Sequence, residues 1–141
     1  MSTPLKLAEL MDAFDWVSAT GPYGNEAYVN RGSGKIYWSS STNELDEELP
    51  EDIEDGTLYI AVPHKNDLDL GRNLALRFVE EQLPASYEVA NGYFHKKGAY
   101  GRFKDLLERA GRLEAWYQYE ANAIEQALRE WGEENGFLVG Q

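Results

Sequence analysis

Short runs of alternating apolar and polar residues occupy much of the first half of the chain. Two of these runs, rich in Tyr, Val, Ile and Trp, lie within residues 26–40 on either side of Asn30-Arg31-Gly32-Ser33-Gly34. Because Asn and Gly favour tight turns, the two runs predict a β-hairpin. Residues 57–63 alternate in the same way and predict a third strand that ends at Pro63. The pattern therefore predicts a small three-stranded antiparallel sheet made of a hairpin plus one strand.

Apolar residues spaced three or four positions apart predict helices elsewhere in the chain. The opening residues 3–14 show this spacing, with Thr3 placed to cap a helix and Pro4 at its first position. After residue 63 the pattern is helical, and the main predicted helices cover residues 67–83 with Asp67 as cap, residues 99–110 ended by Gly111, and residues 113–135 ended by Gly136. The predicted fold class is α+β, in which the sheet is followed by a helical C-terminal half.

The length of 141 residues is that of one domain with one hydrophobic core, here expected to cover residues 1–141. The stretch between Glu44 and Asp55 contains eight acidic residues and no basic one. Runs of like charge stay hydrated, so the segment 43–56 is interpreted as an acidic linker. The alternative, a divalent-cation site, lacks the alternating ligands and central Gly of an EF-hand loop.

Composition and charge make several classes of protein unexpected. The chain has no Cys, which excludes disulfides, thiolate metal sites and a Cys nucleophile. The formal net charge of −12 opposes binding to long nucleic acids and anionic membranes, because the long-range field repels phosphate. No apolar segment approaches the length of a membrane span and no leader pattern is visible, so a cytoplasmic protein is expected.

Recognisable catalytic and metal-binding motifs are missing from the sequence. The two histidines, His64 and His95, lie in different predicted elements and lack the spacing of a helical metal site. The segment Gly32-Ser33-Gly34-Lys35 resembles part of a phosphate loop, but a strand-like run follows it where such a loop requires a helix. We therefore expect no catalytic residue, metal or cofactor. His64 follows the third strand and could line a cleft, although a surface position is expected.

One segment departs from the acidic character of the chain: HKKGAYGRFKDLLERAGR, His95–Arg112. This basic segment has six basic and two acidic residues, so its local charge is +4 while the rest of the chain carries −16. On the predicted helix 99–110 an apolar arc is formed by Phe103, Leu106, Leu107 and Ala110. Arg102 and Arg109 lie roughly opposite that arc, so they face water, another element or a ligand.

The first interpretation of the basic segment is neutralisation within the chain. Glu120 falls inside the apolar arc of the last predicted helix, where an unpaired carboxylate is costly. Arg102 or Lys104 on the preceding helix could pair with Glu120, and Glu133 near the helix C-terminus would also gain from a nearby cation. We expect this structural pairing of Arg102 and Lys104 with Glu120 and Glu133 to be the main role of the segment.

The second interpretation is a site for an anionic ligand. Gly98 and Gly101 leave the start of the predicted helix uncrowded, and helix N-termini attract anions. The ligand-binding residues would be Lys96, Lys97, Gly98, Arg102 and Arg109. Because the net charge of the chain repels long polymers, a small phosphorylated ligand such as a nucleotide fits this interpretation better than RNA.

Residues 98–137 resemble the C-terminal signature of a bacterial group, Uncharacterised Protein Family 0158. The positions that carry the resemblance are Gly98, Ala99, Arg102, Phe103, Lys104, Asp105, Trp116, Tyr117, Glu130, Trp131, Glu133, Glu134, Asn135 and Gly136. Two positions depart from it: Gly101 stands where many members have Arg, and Glu120 where a basic residue is usual. Both departures weaken the transfer of an Arg-rich ligand site. The resemblance implies a small bacterial cytosolic protein with the fold of that family, and no activity.

The expected function is a non-enzymatic protein-interaction or self-associating module. The nine Tyr and four Trp favour this function, since both residue types are enriched at interfaces, unless these aromatics only fill the core. The alternative is a small anion- or nucleotide-binding domain that uses residues 95–112. The expected partners are accordingly another protein or a second copy of the chain, with a small phosphorylated ligand as the alternative.

Overall fold

The computed structural model describes residues 3–19, 24–39 and 49–140. The chain divides into two compact units: unit 1 comprises Met1–Leu68 and Glu125–Gln141, and unit 2 comprises Asp69–Ile124. The single domain over 1–141 stays a prediction. Of the predicted acidic linker, residues 43–48 lie outside the described residues, whereas residues 51–54 and 56–58 form turns.

Unit 1 combines helix and strand, as the sequence predicts. Its elements in chain order are β1 (Thr3–Lys6), α1 (Leu7–Ser18), β2 (Glu26–Asn30), β3 (Ile36–Ser39), β4 (Tyr59–Ala61), the last part of α5 (Leu113–Glu134) and β5 (Phe137–Gly140). The strands β3, β2 and β4 form an antiparallel sheet in that order, with Val29 opposite both Ile36 and Ile60. Helix α1 packs against β2 and β3 of this sheet, and its Leu10 and Phe14 are both buried. The predicted three-stranded sheet is confirmed.

The hairpin turn between β2 and β3 is held by its own polar groups. The Asn30 side-chain oxygen accepts hydrogen bonds from the backbone N–H of Gly32 and of Ser33, at 2.8 and 2.9 Å. Gly34 adopts a φ of 78°, a conformation that glycine reaches without steric cost. A strand follows at Ile36, so the Gly-Ser-Gly-Lys segment forms a turn, as predicted.

The opening residues form a strand, and the predicted helix cap at Thr3 and Pro4 is wrong. Strand β1 runs parallel to β5, and the Thr3 N–H donates to the carbonyl oxygen of Gly136 at 3.0 Å. Helix α1 begins only at Leu7. Local spacing could not reveal this strand, because its pairing partner lies at the other end of the sequence.

The predicted cap at Asp67 is also wrong. Helix α2 begins at Arg72, and the Asp67 carboxylate accepts the backbone N–H of His64 at 3.0 Å, which closes a turn before the helix. Asp69 has a φ of 56°, a left-handed conformation that interrupts a helical path. The side chain that resembles a helix cap therefore stabilises the preceding turn.

Unit 2 is helical. It contains α2 (Arg72–Gln82), a short 3-10 helix (Pro84–Ser86), α3 (Tyr87–Tyr93), α4 (Ala99–Arg109) and the part of α5 up to Ile124. Gly111 follows α4 with a φ of 71°, and Gly136 follows α5 with a φ of 85°, so both predicted glycine stops are confirmed. The core of the unit consists of Leu74, Ala75, Leu76, Phe78, Val79, Ala90, Phe103, Leu107 and Trp116.

Aromatic rings form the centre of this core. The Trp116 ring lies edge-on to Phe103 and Phe78, with centroids 5.0 and 5.4 Å apart, and stacks on Tyr119 at 6.3 Å. Only 1% of Trp116 is exposed, and its indole N–H has no hydrogen-bond partner among the described residues. Apolar packing therefore holds Trp116, and most aromatics of unit 2 contribute to the core.

The core side of α4 gives a first prediction. Leu107→Ala should lower the free energy of unfolding by about 2–5 kcal/mol, because it removes a fully buried side chain and leaves a cavity. The neighbouring Glu108→Ala changes an exposed position and should stay within about 0.5 kcal/mol of the parent. Urea denaturation followed by far-UV circular dichroism measures both. Equal effects at the two positions would contradict the orientation of α4.

Two helical glycines give a second, matched prediction. A Cβ added at Gly132 would overlap the Cγ2 atom of Val139 on β5, and a valine methyl cannot swing away. Gly132→Ala should therefore destabilise the protein by about 1–3 kcal/mol through overpacking. Gly101 in α4 has open space around it, so Gly101→Ala should stabilise by about 0.5–1 kcal/mol. Thermal unfolding of the two variants should move in opposite directions; a higher melting temperature for Gly132→Ala would refute the packing of β5 on α5.

Candidate functional site

The six basic side chains of the basic segment are all exposed: Lys96, Lys97, Arg102, Lys104, Arg109 and Arg112. Lys96 and Lys97 lie in the loop before α4, and Gly98, with a φ of 75°, ends that loop. The fold of α4 causes the exposure of the helical members, because Phe103 and Leu107 are fully buried on the other side of the helix. Of the predicted apolar arc, Phe103 and Leu107 are buried and Leu106 is half-buried, whereas Ala110 is exposed because it lies at the C-terminal end of the helix.

Arg102 and Arg109 lie seven positions apart on α4 and so occupy the same side of the helix, here named the arginine flank. The Arg109 Nε donates to the backbone oxygen of Asp105 at 3.3 Å. The guanidinium of Arg102 makes neither a hydrogen bond nor an ion pair with any residue that the structure describes. Lys104 lies elsewhere on the helix, with its ammonium 5.6 Å from the centre of the Tyr117 ring.

The charge of the basic segment is not neutralised by neighbouring acids in the described parts of the chain. Those residues include an ion pair on α5 between Arg129 and Glu125, with 3.8 Å between the Arg129 Nε and a carboxylate oxygen of Glu125. Since Arg129 and Glu125 belong to unit 1, none of the basic side chains of unit 2 is in such a pair within 3–19, 24–39 and 49–140. Within the described residues, the positive charge of the segment is therefore not matched by an acidic side chain.

Glu120 influences α4 at a different residue from the predicted one. Burial raises the pKa of Tyr100, and the negative charge of Glu120 raises it further, so the carboxylate acts on the first turn of α4. An ion pair of Glu120 with Arg102 or Lys104 is not formed in the described structure, and Glu133 belongs to the other unit. The structural pairing of Arg102 and Lys104 with Glu120 and Glu133 stays a prediction that no observed contact supports.

The residues of the predicted anion site do not surround a common cavity in the described structure. A surface depression of about 550 Å³ lies beside α4 and is lined by Asp105, Glu108 and Arg109. Two carboxylates and one guanidinium make this depression unsuited to an anion. Lys96, Lys97 and Gly98 are instead part of an exposed loop. The basic segment thus offers an open surface for contact with a partner.

His64 lines a small cavity in unit 1. The cavity holds about 170 Å³ and its wall includes Tyr28, His64 and Asp67. The expectation of a surface histidine is wrong, since His64 is 8% exposed. Its Nδ1 accepts the backbone N–H of Asn66 at 3.1 Å, so the neutral ring carries its proton on Nε2. Burial and the Glu26 carboxylate raise the pKa of Tyr28 to about 12, which makes its hydroxyl a poor acid. This arrangement favours a structural role for His64.

A larger groove, of about 620 Å³, lies in unit 1 where β1 and β5 meet the hairpin turn. Its lining mixes the apolar Trp38 and Leu138 with the charged Lys6, Lys35 and Glu9. A side chain at Gly34 would overlap the carbonyl oxygen of Pro4, so the turn can contact β1 only with glycine at this position. The sequence did not indicate this groove, because the β1–β5 pairing that builds it was not predicted.

An acidic turn, defined here as Glu51–Leu58, lies in unit 1 and contains the last four acids of the acidic stretch. Glu51, Asp52 and Glu54 are exposed, and Asp55 organises the turn by accepting hydrogen bonds from the Thr57 N–H at 2.9 Å and the Thr57 hydroxyl at 2.6 Å. These two bonds lower the pKa of Asp55. The turn therefore carries a stable cluster of negative charge at neutral pH.

Within the described residues, no three His, Asp or Glu side chains are grouped so that they could hold a metal ion, and no helix is long and apolar enough to cross a membrane. Comparisons of the chain with models of known protein families, with curated protein sequences and with solved structures find no match. The resemblance to Uncharacterised Protein Family 0158 stays a prediction.

The Asp55 turn gives a third prediction. The Thr57 hydrogen bonds favour the charged carboxylate, so they stabilise the turn above the ordinary pKa of Asp, and this contribution disappears as the pH falls through the lowered value. Thr57→Val removes the hydroxyl donor and should raise the pKa of Asp55 toward its ordinary value. Carboxyl-carbon NMR titration measures the change, with Glu54 as the internal control. An unchanged Asp55 titration would show that the hydroxyl does not hold the carboxylate.

Proposed function

We propose that the chain is a non-enzymatic protein-interaction module whose unit 2 binds an acidic segment of a partner protein through the basic segment. The observation that supports this proposal is that the basic side chains are exposed and lack an acidic neighbour among the described residues. All six are exposed, and none forms an ion pair with an acid among the residues that the structure describes. Charges that are not needed to stabilise the fold are available for recognition.

The form of the surface favours a protein partner over a small phosphorylated ligand. A tight phosphate site converges several donors on one point, whereas here the cations are distributed over a loop and two sides of a helix. Asp105 and Glu108 lie between the cations on α4, which also disfavours a polyphosphate. An extended acidic peptide can follow such a surface and avoid its carboxylates.

The charge distribution of the chain disfavours nucleic acid as the partner. Unit 2 has eight basic and eight acidic residues, whereas unit 1 has five basic and 17 acidic ones, so the net charge of −12 belongs to unit 1. A nucleic acid of any length would meet the field of unit 1, while a short acidic peptide segment can bind locally because screening limits repulsion to about 8 Å at physiological salt. Each exposed ion pair adds only about 0–1 kcal/mol, so the binding should be moderate and sensitive to salt.

A fourth prediction tests this function directly. A fluorescein-labelled poly-glutamate peptide should bind the full-length chain at about 0.15 M salt and dissociate at about 1 M salt. Arg102→Glu/Arg109→Glu should weaken the binding at least about tenfold, because it reverses two contacting charges. The matched control, Lys6→Glu/Lys35→Glu in unit 1, changes the net charge by the same amount and should have little effect. Fluorescence anisotropy measures all three proteins.

Equal weakening by both double variants would show that only net charge matters, and would contradict a site on the basic segment. The small-ligand alternative has its own signature in a thermal-shift experiment. If ATP raises the melting temperature of the parent and Arg102→Ala abolishes that rise while poly-glutamate does not bind, the segment is a phosphate site and the protein-partner proposal fails.

A further inference from the structure

The chain itself carries a surface that is complementary to the arginine flank. The acidic turn in unit 1 exposes Glu51, Asp52 and Glu54, and among the described residues none of these carboxylates is in an ion pair. The arginine flank in unit 2 exposes two guanidinium groups, and neither is in an ion pair with a described residue. Each surface has the charge that the other lacks.

A surface depression lies beside the acidic turn. This depression, of about 450 Å³, is lined by Asp52 and Leu58 and also by Arg31, whose Nε donates to the backbone oxygen of Gly56 at 2.8 Å. Leu58 is 42% exposed and supplies an apolar surface at the edge of the depression. An arginine can lay its aliphatic stem on such a surface while its guanidinium reaches a carboxylate such as Asp52.

We propose that the partner of the basic segment is a second copy of this chain, and that the acidic turn of one copy binds the arginine flank of another. This inference rests on the proposed function, because it names the acidic partner of the same surface. The contact joins two different surfaces, so it produces a closed oligomer when it is made reciprocally and longer assemblies when it is not. It combines exposed ion pairs with one apolar contact at Leu58, which gives a weak and reversible association with a dissociation constant on the order of 0.1 mM.

The net charge of −12 on each copy does not prevent this association at physiological salt. Screening reduces the repulsion between charges that are more than about 8 Å apart, whereas the contacting pairs are within a few ångströms. At about 1 M salt the contacting pairs are themselves weakened. Self-association should therefore be present at intermediate salt and decline at high salt.

Sedimentation equilibrium of the full-length chain tests the proposal. At about 0.15 M salt the average mass should rise above 16.0 kDa with increasing concentration, and it should return toward 16.0 kDa at about 1 M salt. Arg102→Glu/Arg109→Glu and Asp52→Lys/Glu54→Lys should each raise the dissociation constant at least about tenfold. The charge-matched controls Lys6→Glu/Lys35→Glu and Glu9→Lys/Asp12→Lys should associate like the parent.

Charge exchange makes the test specific for the two surfaces. A mixture of the two impaired variants should associate again, because each reversed surface then meets an oppositely charged one. The variant that carries all four substitutions should also self-associate. All variants are changed at exposed positions, and circular dichroism with thermal unfolding confirms that each one is folded.

A mass that stays at 16.0 kDa at every concentration would overturn the second-copy proposal. The same result would be seen if the acidic turn neutralised the basic segment of its own chain, and it would overturn the proposal in that case too. Self-association that both surface variants leave intact would overturn it as well. Poly-glutamate binding that depends on Arg102 and Arg109 would survive either result, so failure of the second-copy proposal is distinguishable from failure of the proposed function.

Discussion

The packing of aromatic rings around Trp116 is the constraint on which the surface of unit 2 depends. Phe103 on α4 meets Trp116 edge-on, with ring centroids 5.0 Å apart, and Leu107 fills the next turn on the same side of the helix. These two buried side chains fix the rotation of α4 about its axis. Arg102 and Arg109 must then face away from the core, because they lie on the opposite side of a helix whose orientation is already determined. The exposed arginines are thus a consequence of the core.

The two units of the chain differ in net charge. Unit 2 is neutral as a whole, with its positive charge concentrated in residues 95–112, while unit 1 carries the entire net charge. Exposed cations contribute little to the free energy of folding, since their hydration in water is nearly as favourable as a surface ion pair. The fold gains little from these exposed basic side chains, and this is why we propose that they recognise an acidic partner.

Local patterns predicted those parts of the fold that are determined by neighbouring residues. The hairpin around Asn30, the glycine stops at Gly111 and Gly136, and the two sides of α4 all depend on turn chemistry or on helical spacing. The β1 strand and the turn at Asp67 were missed for the opposite reason: Thr3 pairs with the far end of the chain, and Asp67 bonds to His64 before the helix begins. For the site, the spacing identified the exposed arginines but could not show which residue of α4 faces Glu120. The tertiary structure places the effect of Glu120 at Tyr100, one helical turn away from the packing core at Phe103.

We propose that the arginine flank is not neutralised by acids of its own chain, as is the case within the described residues. The NMR signal of the Arg102 Nε–H group reports on this directly. In dilute protein at high salt, where copies do not associate, we predict a mobile Nε–H with a low order parameter and rapid exchange with water. A rigid, slowly exchanging Nε–H that titrates together with a carboxylate of the same chain would contradict the claim, because it would show an internal ion pair at Arg102.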